Sequence, residues 1–129
     1  MADSLIPIRV EADIVIARNE TRRVARKVGF SMSEQIKVTI AVSELARNII
    51  KYAGKGEIKV SEMGSPRGVE IIAEDNGPGI ANIEEVQRKG FTTSRSLGMG
   101  MTAVQAAVDS FHIESTVGVG TKVTCRKYV

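Results

Sequence analysis

Asp75-Asn76-Gly77-Pro78-Gly79 closes an alternating segment in which Val69, Ile71 and Ala73 share one face. Side chains alternate with period two along a strand, so Asp75 falls on that same inward face. A carboxylate aimed at a core layer needs a hydrogen-bond donor, a cation or a ligand. The two glycines after it let the backbone come close to something bound. A second pair, Glu44 and Asn48, stands at i and i+4, hence on one side of a helix. A carboxylate and a carboxamide so placed can serve a magnesium ion and a water or hydroxyl. Lys51, about one turn further, can approach a phosphate. Gly98-Met99-Gly100 precedes another helical segment, where exposed backbone N–H groups suit phosphate, and Gly120-Thr121 opens the last strand. Taken singly, each has a plainer explanation as a turn, a surface pair, a solvated lysine, a flexible loop or a hairpin.

The elements that must hold these residues follow from periodicity. Ile6-Pro7-Ile8-Arg9-Val10 alternates and predicts a first strand, with Pro7 marking an edge. Asp13 is the expected N-cap of a helix whose apolar stripe is Ile14, Ala17, Thr21, Val24 and Val28, ended by Gly29. Ser31-Met32-Ser33-Glu34 fits a capping box and starts a long helix to about Tyr52. Ile36, Ile40, Leu45 and Ile49 are its expected apolar positions, with Gly54 as the stop signal. Residues 57–63 and 69–75 predict two strands joined by a hairpin at 64–68. Residues 82–89 predict a short helix and 90–100 a mobile loop, with disorder expected over 90–98. Residues 101–110 predict a third helix with Met101, Val104 and Val108 inward, and 111–117 and 121–129 a final strand pair. The expected fold is α/β: a two-layer sandwich of a mostly antiparallel mixed sheet with about three helices on one face.

Composition removes several classes of function. At 129 residues the natural expectation is one domain with a proper core. Apolar residues make up 43% and there is no Trp, so that core must be aliphatic. One histidine, His112, and one cysteine, Cys125, exclude zinc cages, His-based triads and an internal disulfide. His112 is expected outward beside Glu114, and Cys125 buried in a strand beside Val123. The net charge of +3 is spread along the chain, its densest cluster being Arg18, Arg22, Arg23, Arg26 and Lys27. Arg18, Arg22 and Arg26 share a helical face, which suits solvation or an acidic partner. Nucleic acid is disfavoured, because no aromatic residues are interleaved for stacking. With no leader-like or membrane-length apolar run, a cytoplasmic location is expected.

The four chemical features occur in order: on a helix, at a strand end, at a helix N-terminus and at a strand start. That ordered set resembles the GHKL (Bergerat-fold) ATP-binding family, which includes gyrase, heat-shock protein 90, histidine kinases and MutL. Glu44 through Asn48 matches its N box, Asp75-Asn76-Gly77-Pro78-Gly79 its D-x-G-x-G box, Gly98-Met99-Gly100 its second glycine box and Gly120-Thr121 its closing Gly-Thr. Ser43-Glu44-Leu45-Ala46-Arg47-Asn48, Tyr52-Ala53-Gly54-Lys55-Gly56, Ala73-Glu74-Asp75 and Gly90-Phe91-Thr92-Thr93-Ser94 resemble the switch serine/threonine kinases of bacterial stressosomes. One departure is Arg95-Ser96, standing where glycines are expected before Leu97-Gly98, which implies a stiffer lid or one that presents Arg95 to a phosphate or partner.

The resemblance implies a single GHKL-type ATP-binding kinase domain over residues 1–129, with ATP and Mg²⁺ as cofactors. It makes Glu44 the candidate general base and Asn48 the metal residue. Asp75 would accept from the adenine amino group, with Thr121 beside it. Gly77 and Gly79 would admit the base, Gly98 and Gly100 the phosphates, and Lys51, Ile80 and Met101 would complete the nucleotide site. The implied substrates are STAS-domain scaffold or antagonist proteins of the RsbS/RsbR type. Release after transfer would activate a PP2C-type phosphatase of the RsbU type, in partner switching during a stress response. Two alternatives stand beside it: an anti-sigma-factor kinase that sequesters a sigma factor and phosphorylates an anti-anti-sigma STAS protein, and a binding module that has lost catalysis.

Overall fold

The computed structural model describes residues 3–78 and 96–129, without the side chains of residues 96–100. In chain order these form β1 (Asp3–Ile8), α1 (Ala12–Lys27), α2 (Met32–Asn48) continued by a π-helical turn (Ile49–Ala53), β2 (Gly56–Gly64), β3 (Arg67–Asp75), α3 (Ser96–Ala107), β4 (Ser110–Thr116) and β5 (Gly120–Tyr128). The strands make one five-stranded sheet in the order β1-β2-β3-β5-β4. Every described pairing is antiparallel, so the expected mixed character is absent from it. Pro7 does lie on an edge strand, where its missing N–H removes no central ladder bond.

Alternation sets the inner face. Ile6 and Ile8 of β1, Ile58 and Val60 of β2, Val69, Ile71 and Ala73 of β3, Ile113 of β4, and Val123 and Cys125 of β5 are buried in one core with the helices. That core is aliphatic, as composition requires. Burial pushes the Cys125 thiol up to about 12, which leaves it inert. His112 is exposed and 3.2 Å from Glu114. Among the described residues no helix is long and apolar enough to cross a membrane.

Helix α1 buries the expected stripe: Ile14, Ala17, Thr21, Val24 and Val28. Its start differs from expectation. Asp13 lies within the first turn, and its Oδ2 accepts from the backbone N–H of Arg9 (2.9 Å) and of Val10 (3.2 Å). That backward cap pulls residues 9 and 10 into the helix entry and ends β1 at Ile8, short of the expected Val10. Ser31 and Glu34 form the full capping box of α2. The inward row of α2 is Val38, Val42, Leu45 and Ile49, with Ala41 and Ala46. Leu45 and Ile49 are thus inward as expected, but Ile36 and Ile40 sit about half a turn away and are 46% and 45% exposed. Helix α3 starts at Ser96, earlier than expected, so the helix includes Gly98 and Gly100. Glycine costs a helix only about 1 kcal/mol, and the buried Met101, Val104 and Ala107 anchor this one. The expected helix at 82–89, and the loop up to residue 95, lie outside the described residues.

Glu20 ties α1 to β1. Its carboxylate accepts two bonds from Arg23, both 2.8 Å, and one from the Ser4 hydroxyl. Arg23 first, then Ser4, hold the Glu20 carboxyl down at about 2 against an ordinary 4.5. A depressed carboxyl stabilises the fold above the unfolded value, and that stability is lost as pH falls through the folded value. The urea midpoint should therefore drop between pH 4.5 and pH 2, and Glu20→Gln should flatten that part of the profile. An unchanged acid limb in the variant would remove Glu20 from the account.

Candidate functional site

The end of β3 and the end of α2 meet over the inner face of the sheet. Between them lies a cleft of about 100 Å³. Its apolar walls are Leu45 and Ile49 from the helix, Ala73 and Val123 from the sheet, and Met101 from α3. Asn48, Asp75 and Thr121 bring the polar groups, and Tyr52, Ala53 and Pro78 complete the lining. An apolar slot with a few convergent polar atoms suits a flat heteroaromatic group.

Asp75 continues the inward face of Val69, Ile71 and Ala73 and is half-buried. Its Oδ1 accepts the Gly77 N–H at 2.8 Å, while Oδ2 has no partner among the described residues. Thr121 pairs with Asp75 across β3 and β5. The Thr121 hydroxyl lies 2.8 Å from that of Ser115 on β4. Asn48 closes the α-helical part of α2, where its Nδ2 is buried without a hydrogen-bond partner among the described residues. The π-helical turn then carries Tyr52 and Ala53 into the cleft lining, and π-turns of this kind recur at functional sites.

Glu44 stands one turn before Asn48, half-buried and outside the cleft lining. Arg47 Nη1 donates to its Oε1 at 2.7 Å. The sequence reading missed this partner, although the i,i+3 spacing allowed it. Lys51 is exposed, with its Nζ 5.5 Å from the Tyr52 ring centroid, and does not line the cleft. Gly98 and Gly100 belong to the opening turns of α3, the helix that brings in Met101. Gly79 and Ile80 lie outside the described residues.

Gly77 has a role in packing before any ligand is considered. A Cβ there would lie 2.6 Å from the Ala53 Cβ and 2.9 Å from its Cα. The missing side chain lets the acidic turn seat against the π-helical turn, which joins two walls of the cleft. Gly118, in the β4–β5 turn, donates its N–H to the Pro78 carbonyl at 2.8 Å, so that turn is also tied to this corner.

The description "Histidine kinase-like ATPase domain" matches residues 6–127. The chain belongs to the histidine kinase-like ATPase family. The GHKL resemblance is thereby borne out. Among relatives of this ATPase family, the chain is 44% identical over 128 residues to the serine/threonine-protein kinase RsbT of Bacillus subtilis (strain 168), covering 98% of this chain and 96% of the relative. It is 31% identical over 130 residues to an anti-sigma F factor of Thermoanaerobacter sp. (strain X514), covering 88% and 90%. Solved structures with the same fold include the SiaB–SiaC complex from Pseudomonas aeruginosa, at TM-score 0.67 and 10% identity, covering all of this chain and 90% of that one. The histidine kinase domain of the blue-light activated kinase EL346 from Erythrobacter litoralis matches at TM-score 0.62 and 15% identity, over 92% of this chain and 60% of that one.

Proposed function

We infer that this chain is an ATP-dependent protein serine/threonine kinase of a partner-switching system, with STAS-domain scaffold or antagonist proteins as its phosphoryl acceptors. The observation that carries the reading is the convergence of Asn48, Asp75 and Thr121 on one apolar cleft, in a chain so similar over its full length to a serine/threonine kinase. In this reading residues 1–129 act as one catalytic domain, supported by the family match over residues 6–127. Release from the phosphorylated acceptor frees the kinase to activate a PP2C-type phosphatase in a stress response, and the setting is cytoplasmic. The higher identity to RsbT than to the anti-sigma F factor favours this over sigma-factor sequestration. A pull-down with a sigma factor against a PP2C-type phosphatase separates the two.

The residues fit a nucleotide. ATP, when bound, supplies the γ-phosphoryl group and leaves as ADP. Asp75 Oδ2 is available to accept from an adenine amino group, with Thr121 beside it, and the apolar walls exclude water from the base. Among the described residues there is no cluster of three or more His, Cys, Asp or Glu able to hold a metal. Mg²⁺ would therefore be held by the Asn48 carboxamide and the phosphates themselves, the usual manner for this ion, and would neutralise part of their charge. The Asn48 carboxamide oxygen would be the ligand, while its buried Nδ2, unpartnered among the described residues, is a donor suited to a phosphate oxygen. Glu44 would orient the acceptor hydroxyl and receive its proton, with Arg47 fixing the carboxylate. Lys51 and the opening turns of α3 would serve the phosphates, as helix N-termini do. Phosphoryl transfer asks mainly for such positioning and electrostatic support.

Transfer from radiolabelled ATP to a serine or threonine of a purified STAS-domain protein tests the reading. Asp75→Asn should weaken ATP binding by about 10–100-fold, the scale of one hydrogen bond to a charged acceptor, and leave the urea midpoint nearly unchanged. Unaltered nucleotide affinity in that variant would return the acidic turn to a structural one.

A further inference from the structure

Asp75, Thr121 and Ser115 stand in one row across the cleft end of the sheet. Asp75 of β3 pairs with Thr121 of β5, and Thr121 pairs with Ser115 of β4. Each lies two residues from a buried inward side chain: Ala73, Val123 and Ile113 respectively. All three therefore face the helices. Asp75 and Thr121 line the cleft, while Ser115 stands beside Thr121 and outside that lining.

A hydroxyl carries one hydrogen and can donate it once. Ser115 Oγ lies 3.1 Å from the Gly120 carbonyl oxygen, which can only accept, so Ser115 donates there. The Ser115 and Thr121 hydroxyl oxygens are 2.8 Å apart. With the Ser115 hydrogen committed to the carbonyl, Thr121 is the donor in that pair. Its one hydrogen then points to β4, away from the cleft, and only lone pairs remain for a ligand. Asp75 is an acceptor as well, with Oδ1 held by the Gly77 N–H at 2.8 Å and Oδ2 turned to other use. Among the described residues, the sheet side of the cleft thus presents a carboxylate and a hydroxyl oxygen, and no side-chain hydrogen.

We propose that Ser115 is a positioning residue that sets base selectivity: by holding Thr121 as an acceptor beside Asp75, it makes the cleft take a 6-aminopurine and refuse a 6-oxopurine. An amino group brings N–H donors to both acceptors. An oxo group sets a further acceptor against them, with no hydrogen to bridge the pair. A site built to hydrogen-bond one substrate group rejects the analogue without it, because its polar atoms are left unpaired. A Thr121 hydroxyl free to rotate would donate to an oxo group as readily as it accepts from an amino group. The bond to Ser115 removes that freedom. The proposal rests on the ATP reading above and adds the residue that orients the base contact.

The test measures dissociation constants of Mg-ATP and Mg-ITP, the latter carrying a 6-oxo base without the extra amino group of guanine. Wild type should prefer ATP. Ser115→Ala should lower that preference by about 3–10-fold, the scale of one hydrogen bond, through weaker ATP and tighter ITP binding together. Ser115→Thr, which keeps the hydroxyl, should restore the preference. In a Thr121→Val background there is no hydroxyl to orient, so Ser115→Ala should change the preference no further. Parallel loss of both affinities in Ser115→Ala, with their ratio unmoved, would assign Ser115 to packing alone and overturn the proposal. The same Ser115→Ala effect on the ratio with and without Thr121 overturns it too, as does a wild type that binds ATP and ITP equally. A wild-type chain that binds neither nucleotide overturns the ATP reading itself, and the proposal with it.

Discussion

Asn48→Ala should reduce phosphoryl transfer by about 10²–10³-fold or more, the scale of losing one preorganised electrostatic contact, and should not cost stability. The two halves belong together. Asn48 Nδ2 is buried at the cleft without a protein partner among the described residues. Leaving such a group unsatisfied costs about 1–3 kcal/mol, so alanine should hold the urea midpoint or raise it. A residue kept for packing would behave in the opposite way, losing stability and activity together. Single-turnover transfer at saturating Mg-ATP, beside urea unfolding of the same variant, reads both quantities. Full transfer, or a stability loss large enough to explain the activity loss, would remove Asn48 from the metal role.

The sheet was legible because period-two burial is a local property. Val69, Ile71 and Ala73 read as one face and are one buried face. The stripe of α1 was legible for the same reason at the helical period. In α2 residue type misled: Ile36 and Ile40 look like core residues, but the inward angle belongs to Val38 and Val42, between small alanines. Asp13 was legible as a capping residue, though not that it caps the chain before it rather than the helix after it. The glycine and acidic boxes pointed to a nucleotide site through their order along the chain, which resembles that of the GHKL family. Long-range approaches leave no such trace. Nothing in the local sequence says that Gly77 seats on Ala53, or that the helix holding Asn48 finishes as a π-turn that carries Tyr52 to the cleft. These contacts depend on how β3 and α2 end against each other, which only the assembled sheet decides.

Gly120 shows the same point at its strongest: the sequence offered it as the closing Gly-Thr or a plain hairpin, and neither reading says what its backbone approaches. Its φ is +148°, a region favourable to glycine, and a Cβ there would stand 2.1 Å from the Asp75 carbonyl oxygen and 2.9 Å from the Asn76 Cα. Both obstacles are backbone, so no rotamer change relieves them. Gly120→Ala should therefore push β5 away from the end of β3, break the Asp75–Thr121 pairing and open the polar side of the cleft. Overpacking and backbone strain each cost about 1–3 kcal/mol, a large part of the ~5–15 kcal/mol that holds a domain together. Gly118→Ala is the matched control. Its φ of +80° carries the same kind of strain, but a Cβ there meets nothing within 4 Å. It should cost only about 1 kcal/mol and spare ATP affinity, whereas Gly120→Ala should lose several times more stability and nearly all nucleotide binding. Equal unfolding midpoints and equal ATP affinities for the two variants would show that the corner of Asp75 and Gly120 is not what shapes the site.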